Sequence, residues 1–128
     1  MPAWNDYKAQ ATARGALAFE LYVAVSTPAK GPEDLRAVLP EHLAYIAQLE
    51  KDGVLAFSGP LSDETGGQME GMGMMVLRAG SMDEARAFAA NDPMHTTGTR
   101  TFVLRKWLVN EGGVTVNVRL SGQSVTLE

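Results

Sequence analysis

The chain has 128 residues, 45% of them hydrophobic and 20% charged, which fits one folded domain with its own core and excludes a disordered or fibrous chain. It has no cysteine, which excludes a disulfide scaffold, thiolate metal sites and cysteine nucleophiles together. Eleven Lys and Arg against fifteen Asp and Glu give a formal charge of -4, and a mildly acidic chain without a basic run argues against nucleic acid or an anionic membrane as partner.

Residues 1–15 are mixed in character and end at Gly15; they read as an N-terminal arm with one helical turn, whose Trp4 and Tyr7 could dock on the body of the domain. The arm has no apolar segment of the kind that opens a secretion signal, and no apolar stretch is long enough to cross a bilayer, so the expected location is the cytoplasm. Residues 16–25 alternate, with Leu17, Phe19, Leu21, Val23 and Val25 on one face of a strand and Ala18, Glu20, Tyr22 and Ala24 on the other. Residues 33–52 read as helix, from Leu35, Leu39, Ile46 and Leu49 at three- and four-residue steps, with Gly53 as its stop. Pro40 interrupts the pattern: it either opens the main helix after a short turn at 33–38 or kinks one longer helix.

A short strand follows over 54–58, ending at Gly59-Pro60, then a loop over 61–71 and a strand over 72–78. Ser81 with Glu84 forms a capping box that opens a second long helix, and Asn91-Asp92-Pro93 closes it near Ala90. Residues 99–109 form the next strand, and Val114, Val116, Val118 and Leu120 alternate before Ser121-Gly122 turns the chain into Val125-Thr126-Leu127, a hairpin. The expectation is one domain over 1–128, divided into the arm (1–15), a core (16–109) and the hairpin (110–128). Its β-α-β-β-α-β order is the ferredoxin-like α+β arrangement, an antiparallel sheet with both helices on one face. The other face needs a cover, for which a second copy of the chain is the natural candidate. On that arrangement the Glu20/Tyr22 side of the first strand looks into a partly polar space between two sheets.

Two histidines are present, His42 and His95. At 100° per residue, Leu35 lies about 20°, Leu39 about 60°, Ile46 about 40° and Leu49 about −20° from His42. The imidazole therefore sits within the apolar stripe and points toward the sheet, where it needs a hydrogen-bond partner. A backbone carbonyl would make it a satisfied core histidine; a carboxylate would make it the base of a pocket. Asp92 is the carboxylate to propose, because both helices pack on one sheet face. Its plainer role is to bond local backbone at a helix end. Gly71-Met72-Gly73 resembles the start of a dinucleotide loop but lacks the third glycine and leads into a strand. Asp92 and His95 make a poor metal pair across a proline, so no metal is expected. The methionines read as gap fillers, and Arg100, Arg105 and Lys106 as a solvated or ion-paired face, with anion binding as the lesser alternative.

His42-Leu43, the helix ending at Gly53, Ser58-Gly59-Pro60, the capped helix at Ser81–Ala85 and Asp92-Pro93, in this order and spacing, resemble the YciI-like proteins, or YCII-related domain. The resemblance covers roughly residues 17–109. The arm and the hairpin resemble those of the longer members, as do Asp92-Pro93-Met94-His95 and Trp107 with Asn110-Glu111-Gly112. It implies a ferredoxin-like fold assembled as a dimeric α+β barrel, and a pocket whose His–Asp pair maps onto His42 and Asp92. One relative eliminates chloride from a chlorinated hydroxyquinol, which points toward lyase or isomerase chemistry on a small molecule.

Three functions are thus in view. In the first, His42 is a general base or acid oriented by Asp92, with Ser58, Gly59 and Pro60 at the pocket wall and His95 at its rim as substrate-binding residues; such a pair needs no cofactor, and none is expected. In the second, the chain binds a metabolite without converting it, or the pair only braces two helices. In the third, it is a cofactor-free monooxygenase of an oxygen-reactive substrate. The partners expected are a small molecule and a second copy of the chain.

Overall fold

The structure is a computed structural model that describes residues 1–128. The chain forms two compact units, one of Glu20–Trp107 and one of Met1–Phe19 with Leu108–Glu128.

The larger unit is built on an antiparallel four-stranded sheet in the order β2-β3-β1-β4, from β1 (Phe19–Pro28), β2 (Leu55–Ser62), β3 (Met69–Leu77) and β4 (Arg100–Val109). Helices α2 (Pro32–Lys51) and α3 (Met82–Ala90) connect the strands in the β-α-β-β-α-β order, and a single turn, α4 (Pro93–Thr96), precedes β4. This is the ferredoxin-like arrangement.

The helix-facing core joins Tyr22 and Ala24 of β1, Met75 and Leu77 of β3 and Leu104 of β4 to Leu49 of α2 and to Ala85 and Ala89 of α3. Tyr22 pairs with Leu77 and Ala24 with Met75, so these residues share one side of the sheet. The expectation that the Glu20/Tyr22 side faces away from the helices is therefore reversed. The alternation is as expected, but the mixed face is the one packed on the helices. The small Ala85 and Ala89 leave room for an aromatic ring, and the Tyr22 hydroxyl keeps a polar partner by donating to Glu20 Oε1 at 3.1 Å. The other sheet face carries Leu21, Val23, Val25 and Val76, with Phe57, Val103 and Trp107 exposed at 58%, 59% and 44%.

Helix α2 runs unbroken across Pro40, which settles the choice in favour of one long helix. A proline there has no N–H to give the carbonyl of Arg36, the local cost of continuing. The loop expected over 61–71 is shorter, because β2 extends through Gly59-Pro60 to Ser62 and β3 begins at Met69. Strand β2 lies at the sheet edge, where a proline removes no ladder bond, and its register shifts on either side of this segment. Helix α3 starts as the capping box predicts, with Ser81 Oγ accepting from the Glu84 backbone N–H at 3.1 Å.

In the smaller unit, α1 (Trp4–Ala13) is a ten-residue helix where one turn was expected. Its apolar residues form no stripe, which is why periodicity misses it. Gly15, at φ +87°, stops it, and the Ala16 N–H donates back to the Ala11 carbonyl. Strands β5 (Val116–Arg119) and β6 (Ser124–Leu127) form the expected hairpin, with Val116 opposite Leu127 and Val118 opposite Val125. No helix of the chain is long and apolar enough to cross a membrane.

Candidate active site

A cavity of about 820 Å³ lies in the larger unit between α2 and the sheet. Its walls are Leu35, Leu39 and Ile46 of α2, Ala24 and Ser26 of β1, the Leu55–Pro60 stretch of β2, Met69 and Met75 of β3, and Met94 of α4. His42 stands among them because it shares the inward stripe of α2.

His42 Nδ1 lies 2.9 Å from Asp92 Oδ1 and 2.8 Å from Asp92 Oδ2. The carboxylate can only accept, so Nδ1 carries a proton, and the ring's second nitrogen, Nε2, has no partner within the protein. The two side chains differ in access: Asp92 is 1% exposed and His42 24%. The pair thus has a buried acidic end and a basic end that solvent or a ligand can reach.

Asp92 also caps α4, its Oδ1 accepting from the Met94 backbone N–H at 2.9 Å. One carboxylate thus bonds both the imidazole and the local backbone. Pro93 at the first helical position fixes the turn, which aims the carboxylate back across α4 toward α2. The two long helices are braced nearby, where the Tyr45 hydroxyl donates to the Phe88 carbonyl at 2.6 Å. Burial, and secondarily the charge of Asp92, push the Tyr45 phenol above its ordinary pKa.

The other residues singled out from sequence are also on the cavity wall. Ser58, Gly59 and Pro60 line it along the edge strand, and His95 lines it from α4. Both His95 nitrogens are engaged within the protein: Nδ1 donates to the Ala89 carbonyl at 2.6 Å, and Nε2 lies 2.9 Å from Ser26 Oγ. Its ring also packs on Phe102, with centroids 4.7 Å apart. No group of three His, Asp or Glu side chains gathers to hold a metal ion.

Sequence reasoning missed Ser26 and gave Arg100 chiefly to a solvated or ion-paired face, with anion binding only as the lesser alternative; Arg100 lines the cavity. The signal was available, because Arg100 alternates in step with Phe102 and Leu104, and Leu104 faces the helices. Ser26 alternates likewise with Tyr22 and Ala24, and the reversed face assignment hid it. Lys106, by contrast, is ion-paired, 3.8 Å from Glu20.

A sequence profile of the YCII-related domain matches residues 20–107. Among curated proteins none matches the chain. Among solved structures, the chain resembles the 5-chloro-2-hydroxyhydroquinone dehydrochlorinase TftG from Burkholderia phenoliruptrix AC1100, determined in complex with 2,5-dihydroxybenzoquinone. The TM-score is 0.52 at 22% identity, over 68% of this chain and 92% of that one, a likeness of fold.

Proposed function

Because the chain belongs to the YCII-related domain family, we propose that it is a small-molecule enzyme in which His42, oriented by Asp92, moves a proton on a substrate held between α2 and the sheet. The observation that carries this is the one-sided pair: Nδ1 is held by a buried carboxylate while the ring stands on the wall of a cavity of about 820 Å³. That volume falls in the range of small-molecule pockets and leaves ample room for a ring-sized substrate, and the thioether and aliphatic walls suit a flat apolar body.

Chemistry follows from the tautomer. With its proton on Nδ1, the neutral imidazole offers Nε2 as a base. Taking a proton from a substrate C–H or O–H makes imidazolium, which the Asp92 carboxylate stabilises. The electron pair left on the substrate either expels a leaving group on the neighbouring carbon or is reprotonated elsewhere by the same imidazolium. The first is a lyase reaction and the second an isomerase reaction, and a dehydrochlorinase on this fold is an instance of the first. The hydroxyl of Ser58 and the backbone at Gly59 supply polar contacts at the wall. The same reading takes the chain as half of a homodimer whose partner covers the sheet face bearing Phe57, Val103 and Trp107.

The test is chloride release from 5-chloro-2-hydroxyhydroquinone, measured against an enzyme-free blank with an oxygen electrode in the same vessel. The expected result is release without added oxygen consumption, lowered roughly a hundredfold or more in His42→Ala. Equal rates for variant and wild type reject the role of His42, and oxygen uptake that tracks the enzyme transfers the site to monooxygenation. The cap that Asp92 makes to Met94 favours one other reading, a brace between α2 and α4. That reading predicts a melting temperature lowered by several degrees in His42→Ala and nothing else changed.

A further inference from the structure

Arg100 stands on the helix side of β4, half buried in the cavity wall. Three of its N–H bonds are spent on backbone and hydroxyl oxygens. Nε donates to Ser26 Oγ at 2.8 Å, and Nη2 donates to the Ser26 carbonyl at 2.9 Å and to the Gly71 carbonyl. The supports are themselves fixed. The Ala89 carbonyl can only accept, so His95 carries a proton on Nδ1, and in the neutral ring Nε2 accepts from the Ser26 hydroxyl. The Ser26 oxygen then accepts from Arg100, and every bond in the chain from guanidinium to Ala89 points one way. Gly71 is needed for its own part: it sits at φ +84°, and a Cβ there would lie 2.8 Å from Pro28 Cγ.

What this scaffold holds is a cation with an unused edge. Nη1 has no protein acceptor, and no carboxylate pairs with the guanidinium. Burial works against the charge, lowering the Arg100 pKa, while Asp92 pulls the other way from beyond ion-pair distance. The Asp92 oxygens are already taken by His42 and the Met94 N–H. A half-buried guanidinium, fixed by neutral oxygens and unpaired, is costly unless something anionic meets it.

We propose that Arg100 is the anion-binding residue of this cavity, its Nη1 edge taking an oxygen of an acidic small ligand, either a carboxylate or an ionised phenol. The assignment rests on the reading of the cavity as a substrate site. It narrows the substrate class to small rings bearing one acidic oxygen, with the apolar walls of Leu39, Ile46, Met75 and Met94 taking the rest. Ser26 and His95 are positioning residues for the guanidinium.

The experiment is calorimetric titration of the full chain with two probe pairs matched in shape and different in charge. One pair is 2,5-dihydroxybenzoate and 2,5-dihydroxybenzamide; the other is 4-nitrophenolate and 4-nitroanisole. Wild type is expected to prefer the anion of at least one pair by roughly ten- to a hundredfold, and the pair that shows it tells carboxylate from phenolate. Arg100→Gln is expected to lose that preference, and Ser81→Ala, outside the cavity, to keep it. Failure of His42 in turnover with the preference intact would remove the catalytic reading and leave this one standing. Equal affinity within both pairs, no binding of any probe at millimolar concentration, or a preference that survives in Arg100→Gln overturns the assignment. Should Arg100→Gln not fold, the guanidinium ¹⁵N resonances of wild-type Arg100 decide: they shift with the preferred anion and not with its neutral partner, and equal shifts overturn the assignment too.

Discussion

Asp92 accepts from His42 Nδ1 and from the Met94 N–H through the same carboxylate, so substitution can separate its two duties. Asp92→Asn keeps an oxygen for the cap but loses the charge that would stabilise imidazolium. It is expected to melt within a few degrees of wild type and to lose roughly a hundredfold in turnover. Asp92→Ala also loses the cap and leaves Nδ1–H without its acceptor, and should cost about 1 kcal/mol or more in denaturant unfolding. Equal turnover in wild type and Asp92→Asn would confine this residue to a structural part. At Tyr45 the test is alkaline. Its phenol keeps its proton to higher pH when folded than when unfolded, so the stability this contributes is fully present below the ordinary tyrosine pKa and is lost as pH rises through the raised one. Tyr45→Phe gives up the bond to the Phe88 carbonyl, about 1 kcal/mol at neutral pH. Urea midpoints of the two proteins should therefore converge above about pH 10, and a gap that stays constant would contradict the linkage.

Among the elements, α3 and the start of β3 have separable supports. Ser81→Ala removes the side-chain acceptor for the Glu84 N–H and should cost about 1 kcal/mol, read from guanidinium unfolding, without touching ligand binding, since Ser81 lies outside the cavity. Gly71→Ala forces a side chain into a left-handed conformation and against Pro28. It is expected to cost roughly 1–3 kcal/mol and to disturb the carbonyl that holds Arg100. A Gly71→Ala protein as stable as wild type would mean that this strand start can move freely.

At the scale of the whole molecule, the sheet has one face packed on helices and one on which Phe57, Val103 and Trp107 remain largely exposed. Apolar side chains gathered on one sheet face are characteristic of an interaction surface. Sedimentation of the wild-type chain at micromolar concentration is expected to show a dimer, and Phe57→Asp with Val103→Asp a folded monomer. A wild type that sediments as a monomer would remove the homodimer from the reading.

The sequence by itself determined the order of the core elements, the caps and stops at Ser81, Gly53 and Gly15, and the inward position of His42, because these depend on local propensity and on the period of a helix or strand. It also singled out Asp92, although nothing local could show that a carboxylate 50 residues away along the chain would reach the imidazole. Which face of β1 meets the helices was left to tertiary packing, since either face of an alternating strand can be buried and the fit of Tyr22 beside Ala85 and Ala89 decided between them. The unpaired setting of Arg100 likewise exists only once β1, β3 and α4 have come together. A charge on a strand looks the same in sequence whether it meets solvent or a cavity, and only the fold fixes what surrounds it.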